Sequence, residues 1–270
     1  MKIIDARVRP RTKQILSAWT TELCPYYKSY IDLYKMKSRL EIMPTEELIN
    51  VAAQADIEKM LICGNDSSDN DHILEICTAF PNLIPVVTVE VRHGVMQALK
   101  EIERCRTKGA AAVYIAPYID NRDCNDHLLY PIYGYCELIN IPVILHGGVH
   151  FYTGAYMWHT QPQFIDEIAV DFPELRLIVS HAGNGFGPPM LAVAQRHPNL
   201  YLEFSALNPA YIAPEFLYAV NTYLKDKSIF GTDYPLVDFG LSITRWNKVL
   251  RPEVKEGFFY NNILIALGLM

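Results

Sequence analysis

Three apolar runs in this chain end abruptly in a side chain able to move a proton. Pro142-Val143-Ile144-Leu145 runs into His146-Gly147-Gly148, Val179-Ser180 into His181-Ala182-Gly183, and Phe230-Gly231-Thr232 into Asp233-Tyr234-Pro235. Histidine changes charge near neutral pH and a carboxylate accepts protons, so the set suits general acid–base work. The same three groups could instead supply a three-ligand zinc-type site. The first apolar run carries Asp5, Arg7 and Arg9, and a later one carries Glu203 and Ser205. Residues two apart on a strand share a face, so Asp5, Arg7 and Arg9 are expected to point the same way. Guanidinium groups form paired hydrogen bonds to carboxylate or phosphate. The arginines therefore read either as charge partners of Asp233, Glu203 and Asp5 or as a fork for a substrate anion. A lone histidine of this kind is most simply a satisfied core residue, but three polar endings at equivalent places are hard to explain as packing.

The elements that must position these residues repeat. Eight short, β-branched runs occur in order: 3–8, 60–63, 84–91, 111–115, 142–146, 175–180, 200–204 and 228–231. Between them lie stretches of helical periodicity, such as Val95, Ala98, Leu99, Ile102 and Cys105, and Phe164, Ile165, Ile168, Ala169 and Phe172. That spacing makes an amphipathic helix that covers a sheet. Strand and helix alternating eight times over 270 residues predict an α/β fold, a single (β/α)8 TIM barrel spanning residues 1–270, rather than an open doubly wound sheet. In such a barrel the chemistry sits at the C-terminal ends of the strands, where the polar endings fall. One connection breaks the rhythm: about 50 residues separate the first two strands, where short loops are the rule. The extra segment, residues 11–43, holds Trp19, Tyr26, Tyr27, Tyr30 and Tyr34. It reads as a lid over the barrel mouth, or as packed decoration or a dimer contact.

Composition removes several functions. The formal net charge is −6, from 24 Lys and Arg against 30 Asp and Glu, with no basic run, so no nucleic-acid partner is expected. No apolar stretch approaches the roughly 20 residues of a membrane span, and the N-terminus enters a strand directly. A soluble, cytoplasmic protein is expected, with homo-oligomer formation left open. The six cysteines, Cys24, Cys63, Cys77, Cys105, Cys124 and Cys136, form no C-x-x-C pair and read as reduced, mostly buried thiols.

The three strand-end motifs, together with Leu129-Tyr130-Pro131-Ile132-Tyr133, Phe172-Pro173-Glu174-Leu175, Pro198-Asn199-Leu200-Tyr201-Leu202-Glu203 and Asn261-Asn262-Ile263-Leu264, resemble the amidohydrolase-related (amidohydrolase 2) family. Its members are similar to aminocarboxymuconate-semialdehyde decarboxylase and include decarboxylases, lactonases and hydrolases. The resemblance runs over nearly the whole chain. It implies a divalent metal held by a His-x-His on the first strand with His146 and Asp233, yet those first-strand positions are Arg7 and Arg9 here. Arginine stays protonated and has no lone pair to donate, so it cannot be a ligand. Either no metal or one zinc or manganese ion on His146, His181 and Asp233 remains open. The fourth strand, Ala112-Val113-Tyr114-Ile115, offers no bridging Lys or Glu.

The expectation is a hydrolase or lyase acting on a small carboxylated substrate, with Asp233 as general base and His181 and His146 assisting. Arg7 and Arg9 would anchor the carboxylate, with Glu203 and Tyr114 also on the substrate. The alternative is a catalytically inactive barrel that binds a carboxylate. Weaker signals are His150 and His159 after the fifth strand and Arg92 and His93 after the third. The Gly183–Pro188 stretch is best read as a tight turn, since it lacks dinucleotide-binding spacing.

Overall fold

Alternation along each strand sorts the apolar residues onto two faces. In the computed structural model, which describes residues 2–20, 24–33 and 35–270, eight parallel strands follow one another in sheet order: β1 (Ile3–Val8), β2 (Ile57–Cys63), β3 (Leu83–Thr88), β4 (Ala112–Ile115), β5 (Val143–Leu145), β6 (Leu177–Val179), β7 (Leu200–Glu203) and β8 (Ser228–Ile229). The sheet closes on itself through Ala6 N–H to Phe230 O (3.1 Å), Asp233 N–H to Arg7 O (3.0 Å) and a parallel bridge between Val8 and Tyr234. This is the TIM-barrel fold expected from the eightfold alternation. Ile4, Ala6, Leu61, Cys63, Val86, Ala112, Tyr114, Ile144, Ile178, Tyr201 and Ile229 fill the barrel interior. The intervening residues, among them Ile62, Val87, Val113, Leu145, Val179 and Leu202, pack outward against the helices. The predicted helical stripes lie within the helices Val95–Thr107 and Pro162–Asp171, which bury Ala98, Ile102 and Cys105, and Ile165, Ile168 and Ala169. The helix Asn262–Leu267 closes the N-terminal end of the barrel, with Ile263, Ala266 and Leu267 joined to the interior cluster.

The insertion after β1 contains helices α1 (Lys13–Thr20) and α2 (Cys24–Leu33) and a 3-10 turn, Met36–Leu40. Its base is pinned where Met43 N–H donates to Arg11 O at 2.9 Å. Trp19, Tyr27, Ile31 and Met36 form a small cluster of their own, apart from the main core. Tyr34 lies outside the described residues. Cys63, Cys77, Cys105, Cys124 and Cys136 are buried free thiols. Among the described residues no helix is long and apolar enough to cross a membrane.

Candidate active site

A register irregularity in β1 decides which of its charged residues reach the mouth. Asp5 pairs with Met60, but the next paired residue is Val8, with Ile62. Three steps on β1 thus match two on β2, the signature of a bulge. Before it Ile4 and Ala6 face inward; after it Val8 packs outward, and Arg7 and Arg9 face the cavity. The expectation that Asp5 shares their face is therefore corrected. Asp5 is not a partner of either guanidinium. Its carboxylate accepts from Arg7 N–H (3.0 Å), Thr232 N–H (2.9 Å) and Thr232 Oγ1 (2.5 Å), fastening β1 to the residues after β8. Burial raises its pKa to about 7 against these hydrogen bonds.

Arg7, Arg9, His146, His181 and Asp233 line one cavity of about 190 Å³ at the C-terminal ends of the strands, together with His150 and Asn184. Trp19, Tyr27 and Tyr30 of the insertion wall it from above, and Tyr118, Phe151 and Leu236 from the sides. The insertion is held there by aromatic contacts to the loop after β5: Tyr30 stacks on Phe151 (centroids 4.4 Å apart) and Tyr26 packs on Tyr152 (4.8 Å). A wider, open groove of about 550 Å³ lies elsewhere, lined by Ser67, Glu90, Glu101 and Arg104, and none of the strand-end histidines reaches it.

Charge at the floor is unbalanced. Arg7 Nε and Arg9 Nη1 both donate to one oxygen, Asp233 Oδ1, at 3.0 and 2.8 Å. Arg7 Nη2 also donates to Tyr114 OH at 2.7 Å, and its guanidinium carbon lies 4.5 Å from the centroid of that ring. Arg9 Nε has no hydrogen-bond partner although Arg9 is only 7% exposed. The two guanidinium groups hold the Asp233 pKa low despite its burial.

The histidines have different surroundings. His181 adopts a left-handed backbone (φ 55°, ψ 20°), uncommon for a residue with a side chain and a feature that clusters at functional sites. Its Nδ1 lies 3.1 Å from Ser205 O and 3.0 Å from Ser205 Oγ. A carbonyl oxygen only accepts, so Nδ1 carries the proton and Nε2 is the bare nitrogen of the neutral ring. Burial lowers the His181 pKa to about 4, so the ring is neutral at pH 7. His146 packs edge-on against His181 (centroids 4.9 Å apart) and against Tyr118 (4.8 Å); burial first, then His181, keep it neutral as well.

Glu203 and Tyr114, expected on the substrate, do not line the cavity. Each is the last inward-facing residue of its strand, below the loop residues that line the cavity, so both sit beneath the floor. Tyr114 receives Arg7, and Glu203 accepts from Ser205 N–H and from Ser205 Oγ (2.9 Å) without touching an arginine. Burial raises the Glu203 pKa to about 8. Of the weaker candidates, His150 reaches the cavity, whereas His159 is held by Asp123 (2.9 Å) and Asn121 (3.0 Å). Sequence reasoning missed Tyr118, Phe151 and Leu236 and, among polar contributors, Asn184. It lies in the glycine-rich turn after β6, where a Cβ on Gly148 (φ 79°) would come within 2.7 Å of Asn184 O. Only a bare backbone at Gly148 allows the two loops so close.

The donor set does not fit the divalent metal implied by the family resemblance. Among the described residues no three His, Cys, Asp or Glu side chains come together as a metal-holding group. Two cations stand at the first-strand positions and both occupy Asp233 Oδ1. A metal ion there would face their repulsion and compete for that oxygen.

The sequence matches the Amidohydrolase family over residues 38–269. Among solved structures, the chain is similar to an uncharacterised TIM-barrel protein from Bordetella bronchiseptica, 27% identical, with 99% of this chain and 100% of that one covered and a TM-score of 0.81. It shares its fold with 5-carboxyvanillate decarboxylase from Novosphingobium aromaticivorans, solved with manganese and 4-hydroxy-3-methoxy-5-nitrobenzoic acid (14% identity, 99% and 96% covered, TM-score 0.77). It also shares it with a probable 2-pyrone-4,6-dicarboxylic acid hydrolase from Acinetobacter baumannii, solved with citric acid (12% identity, 99% and 100% covered, TM-score 0.70). A family match over most of the chain, on a closed barrel whose polar strand ends share one cavity, leads to one assignment: the chain belongs to the amidohydrolase family.

Proposed function

We propose that the protein is a hydrolase or lyase acting on a small carboxylated ring compound bound at the barrel mouth. The observation that carries this reading is the charge surplus at the floor. Two buried guanidinium groups share one carboxylate oxygen, and Arg9 keeps a buried N–H without a partner. A buried, unmatched cation is costly, and an incoming carboxylate relieves that cost. Aromatic walls suit a planar ring, and the two relatives above were solved with carboxylic acids bound.

In this reading His181 shares the general-base role expected of Asp233: its Nε2 carries no proton and His181 lines the cavity, whereas Asp233 Oδ1 is occupied by both arginines. His181 takes a proton from water during hydrolysis, or passes one from solvent to the carbon that loses CO2 during decarboxylation. Neutral His146 donates a hydrogen bond to oxygen as negative charge develops there. Asp233 keeps Arg7 and Arg9 aimed at the substrate. The opposing reading, a barrel that binds a carboxylate without turning it over, draws on the loss of metal donors at Arg7 and Arg9.

The test is thermal stabilisation by a library of aromatic and cyclic carboxylates, followed by turnover assays of the hits with and without added zinc or manganese. Stabilisation and turnover are expected. Stabilisation without turnover under either condition selects the binding-only reading, and no stabilisation by any carboxylate removes the anion site.

A further inference from the structure

Glu203 is a buried carboxyl group to which the proposed chemistry gives no task. Its seat is closely built. A Cβ on Gly231, just after β8, would collide with Glu203 Oε1 and come within 3.0 Å of Ser205 Cβ, so only a bare backbone leaves the room. Both carboxyl oxygens serve one residue: Oε1 accepts from Ser205 N–H and Oε2 from the Ser205 hydroxyl at 2.9 Å. Ser205 in turn meets His181 Nδ1 twice, through its carbonyl oxygen at 3.1 Å and its hydroxyl oxygen at 3.0 Å. The peptide that carries this carbonyl is also held at its N–H, which Ala206 donates to Thr232 O at 3.2 Å.

A hydroxyl has one hydrogen and two lone pairs. Spent on Glu203, the hydrogen leaves Ser205 Oγ only lone pairs to offer His181. Nδ1 is then the donor in both of its contacts, and Nε2 is the bare nitrogen. The chain runs from Nδ1–H to Oγ–H to Oε2, and it needs an acceptor at its end. Glutamine at 203 fits the same space but not that direction. Its oxygen takes the Ser205 N–H, and its amide presents N–H donors to Oγ. The serine hydrogen is then displaced towards the other partner of Oγ, His181 Nδ1.

We propose that Glu203 and Ser205 are positioning residues for His181: the carboxylate orients the serine hydroxyl, and the hydroxyl and carbonyl of Ser205 together keep the ring proton on Nδ1, leaving Nε2 open. Which ring nitrogen of a histidine carries the proton is set by the hydrogen bonds of the other. The inference rests on the reading of His181 as a proton acceptor and deepens it.

The experiment is nitrogen NMR of the intact protein labelled with 15N-histidine, with the His181 signals identified by their loss in His181→Gln. At pH 9, above the pKa of about 8 that burial gives Glu203, the carboxylate is ionised. The wild type is expected to show a protonated Nδ1 and a bare Nε2. In Glu203→Gln the two signals should move towards each other or change places. Ser205→Ala removes the hydroxyl but keeps the carbonyl, so it should retain the wild-type pattern. The double variant Glu203→Gln, Ser205→Ala should return to that pattern, a rescue that a merely disturbed fold would not show. Neutron diffraction from wild-type crystals at pH 9 tests the same claim without a substitution, with the serine deuterium expected towards Glu203 Oε2. An unchanged His181 pattern in Glu203→Gln, or a serine deuterium pointing at His181, overturns the proposal and leaves the tautomer to the Ser205 carbonyl alone. No substrate enters these measurements, so a barrel that binds carboxylates without turnover would refute the catalytic reading while the tautomer result stands by itself.

Discussion

At the scale of single residues, the two arginines have divided one structural role unequally. Arg7 is tied to Asp233, Tyr114 and the face of that ring, whereas Arg9 makes one ion pair and leaves Nε unmatched. Arg9→Ala should therefore weaken carboxylate binding by roughly 10- to 150-fold, the range for a buried charge-assisted hydrogen bond, with a small change in melting temperature. Arg7→Ala should lower stability by about 3 kcal/mol, the low end for breaking a buried pair, because Asp233 keeps Arg9. Melting temperature and affinity measured on the same two proteins test this division. Equal loss of stability with unchanged affinity in both would reduce the arginines to charge partners of Asp233. Glu203 gives a prediction in pH. Its pKa rises from 4.5 to about 8 on folding. Between those values the unfolded chain has released a proton that the folded chain keeps, so stability falls as pH rises, by at most about 1.4 kcal/mol per pH unit. Glu203→Gln removes that slope. Urea denaturation at pH 5 and pH 8 should show the variant gaining on the wild type at the higher pH, and a constant gap would mean that Glu203 is ionised in the fold throughout.

At the scale of elements, the insertion after β1 is a module with its own small core and a pinned base. Met43 N–H donates to Arg11 O, so the two ends of the segment already meet. Replacing residues 12–42 by a short glycine-serine link should leave far-ultraviolet circular dichroism of a barrel while abolishing carboxylate binding, since Trp19, Tyr27 and Tyr30 leave with it. Retained binding would make the segment decoration. Position along the chain and aromatic content are enough to mark this element in the amino-acid sequence. The eight strands are legible there too, because apolar runs and turn residues alternate with little ambiguity. What stays hidden is geometry within elements. A bulge between Asp5 and Val8 reverses the inward face of β1, and nothing in the residue types there announces it. The left-handed backbone at His181 re-aims a ring that strict alternation would place outside, since Ile178 faces inward. Depth is equally hidden: Tyr114 and Glu203 face inward as expected, yet lie beneath the cavity. The cavity wall that Tyr27 and Tyr118 share joins residues 91 positions apart, a pairing that no local pattern reveals.

Across the whole molecule, the barrel separates what holds it together from what it does. The C-terminal ends of the strands carry buried charge, strained backbone and the cavity, whereas the N-terminal end is plugged by Ile263, Ala266 and Leu267 from the last helix. Between the two ends lie the interior layers of Ile4, Leu61, Val86, Ile144 and Ile178, none of which lines the cavity at the mouth. Substitutions at the two ends should therefore behave in opposite ways. Ile263 is 1% exposed, so Ile263→Ala opens a cavity in the plug and should cost about 2–5 kcal/mol of stability. Carboxylate affinity, measured well below its melting temperature, should stay within about twofold of the wild type, a difference worth less than about 0.5 kcal/mol. Trp19→Ala should do the reverse. It removes a wall of the cavity, together with the hydrogen bond to Asn65, but touches only the small cluster of the insertion. Affinity should fall at least tenfold while the main unfolding transition moves little. The decisive comparison is the pair of variants measured side by side by calorimetric unfolding and by ligand titration. If Ile263→Ala weakens binding as much as Trp19→Ala does, the two ends are coupled through the barrel, and a site built only from strand ends and insertion is too local an account of this protein.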